Sequence, residues 1–107
     1  MGYTGFMIAC SMGHSNCVEL FMKQSAELGI DLNAKSNLGS TGFIFACLEG
    51  HSNVVELFMK HSEELGIDLN AKNNDGLTGF MITSKFGHLN LAKLIKMHSA
   101  DLAIDLV

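Results

Sequence analysis

Three copies of Thr-Gly-Phe stand 37 residues apart, at Thr4-Gly5-Phe6, Thr41-Gly42-Phe43 and Thr78-Gly79-Phe80. Gly-His keeps the same step, at Gly13-His14, Gly50-His51 and Gly87-His88, and Gly-Ile-Asp-Leu-Asn-Ala-Lys runs from Gly29 to Lys35 and again from Gly66 to Lys72. A fixed period of this size marks a repeat array, in which each unit buries its apolar face against its neighbours. The chain therefore reads as a single domain, 1–107, with repeats 2–38, 39–75 and 76–107. Such an array seldom carries catalysis. It presents an extended surface built from the positions at which the repeats differ.

Composition narrows the class further. An apolar fraction of 48% is ordinary for a globular chain and argues against disorder. No apolar run reaches the roughly 18 residues of a membrane span, and Met1-Gly2-Tyr3-Thr4 does not open a secretory signal. The net charge is −4 and there is no Arg, which disfavours nucleic acid as a partner. Counted by repeat, the charge is −1, −4 and +1, so the middle repeat is the acidic one. Cys10 and Cys47 hold the same position in successive repeats. Facing helices lie about 8–10 Å apart and a disulfide needs Cα atoms within about 7 Å, so these two should stay unbridged. Three reduced thiols, with no Cys-X-X-Cys pair, point to a cytoplasmic protein.

The middle repeat shows the local code. Thr41 can cap a short helix over Gly42 to Glu49, with Gly50 as its stop. A second helix is predicted over about Ser52 to Leu65, with Val54, Phe58, Met59 and Leu65 as its apolar stripe, Val55 and Leu57 beside it, and Gly66 as its stop. Ile67-Asp68-Leu69 then extends, and Asn73-Asn74-Asp75-Gly76 signals a turn.

This unit resembles the ankyrin repeat. The resemblance rests on Thr41-Gly42-Phe43-Ile44, Ala46, Gly50-His51, the stretch Val54 to Met59 and the stretch Gly66 to Ala71, and it covers the whole chain as three tandem units. It implies an all-α, helix-turn-helix solenoid with short hairpin-like turns between repeats. Two departures from the family pattern stand out. Its Pro at the first helical position is Gly5, Gly42 or Gly79 here, which should weaken the first helix by about 1 kcal/mol. Its His two residues later is Met7, Ile44 or Met81. The period also exceeds the family's typical 33 or so. The extra residues fall between Lys60 and Gly66, and we expect them to lengthen the second helix of every repeat by one turn, about 6 Å, with Leu28, Leu65 and Leu102 each adding a buried contact.

The resemblance also implies where a partner sits, on the concave face formed by the turn tips and the ends of the first helices. In repeat one those positions are Tyr3, Ser11, Met12, Asn37 and Leu38, and in repeat two Ser40, Leu48, Glu49, Asn74 and Asp75. Repeats one and two are identical at 27 of 37 positions, yet four of these five pairs differ. The third repeat adds Leu77, Lys85 and Phe86. Apolar groups in that number suggest a groove for another protein, rimmed by Glu49, Asp75 and Lys85. If Leu48 and Phe86 line it, their replacement by Ala should weaken binding without much loss of stability.

Other constellations read as structural. Metal ligands must converge on one ion within about 2 Å, which residues stacked a repeat apart such as His14, His51 and His88 cannot do. Asn33 and Asn70 are expected to bond backbone groups; in some members of the family this position is also a substrate for asparaginyl hydroxylation. No catalytic set, metal site or cofactor motif appears, and no enzymatic activity is expected. Phe6-Met7-Ile8-Ala9-Cys10 is as apolar as its internal counterpart, whereas Thr83, Ser84, Lys85 and Lys96 replace Ala46, Cys47, Leu48 and Met59. This reads as an uncapped start and a partial cap at the end, as in a fragment of a longer array or an engineered minimal one with no native partner. Uncapped ends also favour weak self-association through the terminal repeats.

Overall fold

Each repeat begins with a threonine that closes a helix start. Thr4, Thr41 and Thr78 are extended, and their hydroxyls accept from the backbone N–H of Met7, Ile44 and Met81 at 3.1, 3.2 and 3.3 Å. The bond satisfies one of the orphan donors of a first turn. In the computed structural model, which describes residues 2–106, these caps open α1 (Gly5–Met12), α3 (Gly42–Glu49) and α5 (Gly79–Lys85). The longer helices follow after each Gly-His: α2 (Ser15–Leu28), α4 (Ser52–Leu65) and α6 (Leu89–Met97), with a last short turn, α7 (Ser99–Leu102). Among the described residues there is no strand, and no helix is long and apolar enough to cross a membrane.

The helices pack in register. α1 packs on α3 and α3 on α5, while α2 packs on α4. Between repeats the chain makes hairpin-like turns. Ser36 N donates to Ser40 O at 2.9 Å, and Asn73 N donates to Leu77 O at 2.9 Å. The core runs along the stack as an aromatic series. Phe6 meets Phe21 and Phe58 at centroid distances of 6.0 and 5.7 Å, and Phe58 meets Phe43 at 5.4 Å. Edge-on and tilted contacts of this kind suit the ring quadrupole. Burial of Cys10 pushes its thiol up from the ordinary 9.0 to about 12, and burial raises the Cys47 thiol too, so both stay protonated and unreactive. All three cysteines are free, and Cys17 is exposed.

The four additional residues are helical where expected in the first two repeats, since α2 and α4 each run 14 residues. The third repeat departs from expectation. Its second helix breaks at His98, whose N–H bonds Ile95 O three residues back, the tighter turn of a helix end. Asp101, a poorer helix former, stands where the second repeat has Glu64. Leu28 also departs, being 62% exposed, whereas Leu65 and Leu102 are half-buried against the core. The position faces the preceding repeat: Leu65 shares a groove with Met22 of α2, and Leu102 one with Met59 of α4. Nothing described lies in front of Leu28.

The glycines that open the first helices have a reason that local propensity does not reveal. A Cβ on Gly42 would stand 2.9 Å from Phe6 Cε2 and 3.0 Å from Cys10 Sγ; one on Gly79 would stand 2.6 Å from Phe43 Cε2 and 2.9 Å from Cys47 Sγ. Three of these four distances are shorter than carbon and sulfur tolerate, and the fourth is at the limit. Glycine lets the aromatic ring of one repeat lie on the backbone of the next, and that packing offsets the helix propensity it forgoes.

Candidate functional site

Two ladders of polar contacts fix how successive repeats sit, and so where surface residues fall. His51 Nε2 donates to Ser11 O at 2.8 Å, and His88 Nε2 donates to Leu48 O at 2.9 Å. Since a carbonyl only accepts, Nε2 carries the proton in both. Each ring lies over a glycine of the repeat before, with His51 Nδ1 2.7 Å from where a Gly13 Cβ would be. These two histidines are inter-repeat struts, a structural role more specific than the turn position expected for them. The second ladder uses asparagine. Asn33 Nδ2 donates to Gly66 O at 2.9 Å while Asp68 N donates to Asn33 Oδ1 at 2.8 Å. Asn70 repeats the arrangement with Ala103 O and Asp105 N at 2.9 and 2.8 Å. One planar amide thus clasps two backbone groups of the following repeat.

The thirteen residues expected to face a partner are all exposed or half-buried, but they do not form one group. Tyr3, Ser11, Met12, Leu48 and Glu49 converge on a cleft of about 400 Å³ between α1 and α3, closed by Met7, Ile8 and Phe45. Tyr3 stands edge-on to Phe45 across its mouth, at a centroid distance of 5.6 Å. Met12 is 60% exposed at the rim. Leu48 and Leu77 instead lean on the core and are half-buried, so shortening either costs stability as well as surface. Lys85 and Phe86 lie at the far end, where Phe86 ends α5 and remains exposed.

Asn37, Leu38, Ser40, Asn74 and Asp75 lie at the turn tips. Here the asparagines differ from the rest. Asn74 Nδ2 donates to Asn37 O at 3.0 Å, and Asn74 N donates to Leu38 O at 3.0 Å, tying one tip to the next. Asn37 and Asn74 are also the only one of the five position pairs that does not vary between the first two repeats. The invariant pair is thus engaged with the scaffold, whereas Leu38 and Asp75, the varied pair beside it, are exposed. Leu38 is 71% exposed.

Ile8 and Phe45 were missed as lining residues. They too occupy one repeat position and differ, a signal present in the sequence but outside the positions that the resemblance pointed to. The cleft has an aromatic wall, two methionines, an isoleucine and one carboxylate at the edge. It is suited to holding an apolar side chain with a cationic neighbour, and it lacks any convergent set of groups for bond-making. No curated protein matches the chain. A family model described as ankyrin repeats (3 copies) matches residues 6–105.

Proposed function

The chain belongs to the ankyrin repeat family, and we propose that it serves as a protein-binding module whose main anchor point is the cleft between α1 and α3. Repeats of this family are in general protein interaction modules and not enzymes. The observation that carries the finer reading is the coincidence of cavity and variation. Tyr3/Ser40, Ile8/Phe45, Ser11/Leu48 and Met12/Glu49 all differ between two repeats that are otherwise nearly copies, and all but Ser40 line the cleft. Buried aromatic and methionine contacts are the usual source of affinity in such a site, and exposed charges set orientation. Glu49 and Asp75, in the repeat of net charge −4, favour a partner segment with a Lys or Arg beside its apolar anchor. Leu38, Leu77, Lys85 and Phe86 would extend the contact along the stack. The reading takes the chain as one domain. Its three free thiols suit a reducing compartment such as the cytoplasm. In it Asn33 and Asn70 belong to the scaffold, and hydroxylation of either would first require its clasp on the next repeat to open.

Selection of binding peptides from a random displayed library tests this. Ligands recovered on the parent chain should carry an apolar residue flanked by a basic one. Met12→Asp should weaken them at least about tenfold, or about 1.4 kcal/mol, with stability changed by no more than about 0.5 kcal/mol because the site is exposed. Ligands that bind the variant as well as the parent would place the contact elsewhere.

A further inference from the structure

The described methionines divide sharply by access. Met7, Met22 and Met59 are 1, 3 and 8% exposed, and Met81 is half-buried. Met12 and Met97 are 60 and 75% exposed. Of these two, Met12 alone lines the cleft between α1 and α3. Met7 lines it too, but it is sealed, and its Sδ already accepts from Thr4 N–H at 3.4 Å. The exposure of Met12 belongs to its repeat position and not to where the array begins. Glu49 and Phe86, its equivalents in the second and third repeats, are exposed too, and Glu49 has a repeat packed on either side. An accessible thioether thus stands at the rim of an apolar site.

We infer that Met12 is a site of reversible oxidation by hydrogen peroxide, and that its sulfoxide weakens docking of a partner in the cleft. The inference rests on the role proposed above for that cleft. The Met12 sulfur attacks one oxygen of the peroxide; an S–O bond forms as the O–O bond breaks. The departing hydroxide takes the proton left on the transferred oxygen and leaves as water. Sulfur loses two electrons and the peroxide gains them. The product is polar and chiral where the thioether was apolar and flexible. Seating an apolar side chain over it requires stripping water from the new oxygen, which opposes binding. Reductases of methionine sulfoxide remove the oxygen again, so the loss reverses. Met97 supplies an internal contrast. It is at least as open, but it sits at the end of α6 and outside the cleft, so its oxidation should leave docking unchanged.

Peroxide treatment of the folded chain, removal of the oxidant and peptide mapping by mass spectrometry test the chemistry. Met12 and Met97 should each gain one oxygen well before Met22 and Met59. The displayed peptides selected on the parent chain test the consequence. Their affinity should fall about tenfold as Met12 sulfoxide accumulates. It should recover after treatment with a pair of methionine sulfoxide reductases, one for each epimer, and dithiothreitol. Dithiothreitol alone, which acts on cysteine, should not restore it. Met12→Leu, an apolar replacement of similar size, should bind the same peptides without sensitivity to peroxide, whereas Met97→Leu should keep the sensitivity. Met12 oxidised no faster than Met22, full affinity in a chain whose Met12 is oxidised, or a loss that persists in Met12→Leu would overturn the inference. In each case peptides that still tell the parent from Met12→Asp leave the cleft reading standing. Peptides that bind Met12→Asp as well as the parent remove that reading, and this inference with it.

Discussion

Thr4, Gly5 and Leu28 of the first repeat recur unchanged as Thr41, Gly42 and Leu65 of the second, yet the first three are exposed and the second three are buried or half-buried. The residues are identical, so their chemistry does not explain the difference. The second repeat has the first packed in front of it, whereas among the described residues nothing stands in front of the first. Cys17 is exposed for the same reason that its counterparts Val54 and Leu91 are 0 and 4% exposed. In a stack of this kind, burial belongs to a residue's place in the array more than to its type, and the cost of a substitution should follow place as well.

Phenylalanine gives the largest test. Phe43 is 1% exposed, touches Phe58 and lies on Gly79, so Phe43→Ala should cost about 3–5 kcal/mol. Phe80 occupies the same repeat position without a glycine to cover it, and Phe80→Ala should cost less than half as much. Urea unfolding measures both, and equal losses would break the comparison. Glycine gives a test of sign. Gly79→Ala gains helix propensity of about 1 kcal/mol but drives a methyl into Phe43, an overpacking worth about 1–3 kcal/mol, so a net loss of up to about 2 kcal/mol is expected. Gly5→Ala meets no preceding ring and should stabilise by about 0.5 kcal/mol. Thermal melts in which both changes shift the midpoint the same way would count against the reading.

The smallest effect concerns the last repeat. Gly29 and Gly66 end their helices at φ 66°, and Ala103 takes the same role at φ 53°, the only non-glycine residue with positive φ among those described. A Cβ is strained there. Ala103→Gly should therefore stabilise by about 0.5–1 kcal/mol despite the greater freedom of glycine in the unfolded chain. A loss of stability on chemical denaturation would show that the third repeat does not share the turn of the other two.

Much of the fold was legible because its signals are local. A threonine followed by an apolar run and a glycine set the limits of α3, and the glycine pair Gly50 and Gly66 set those of α4. What required the structure was the relation between units. That Gly42 and Gly79 make room for the ring of another repeat is a contact across 36 residues of chain and leaves no local trace. The break at His98 follows from weak preferences in one turn, which do not stand out in a sequence so like its neighbours. At the candidate site, the family resemblance pointed to the positions of Tyr3, Met12 and Glu49, and the first two repeats differ there. Ile8 and Phe45 varied too, but only packing shows that they turn into the same cleft as Tyr3. Asn74 looked like any other tip residue until its amide proved to be bonded to Asn37.

Deep burial of Cys10 and Cys47 leaves Cys17 as the one accessible thiol among three. Its place is on α2, at the repeat position where Val54 and Leu91 are sealed by the unit before them. The molecule thus carries a natural attachment point for a single environment-sensitive dye on the front face of the stack. Emission from that dye would report in real time whether the face is wet or covered, without altering any other residue of the chain.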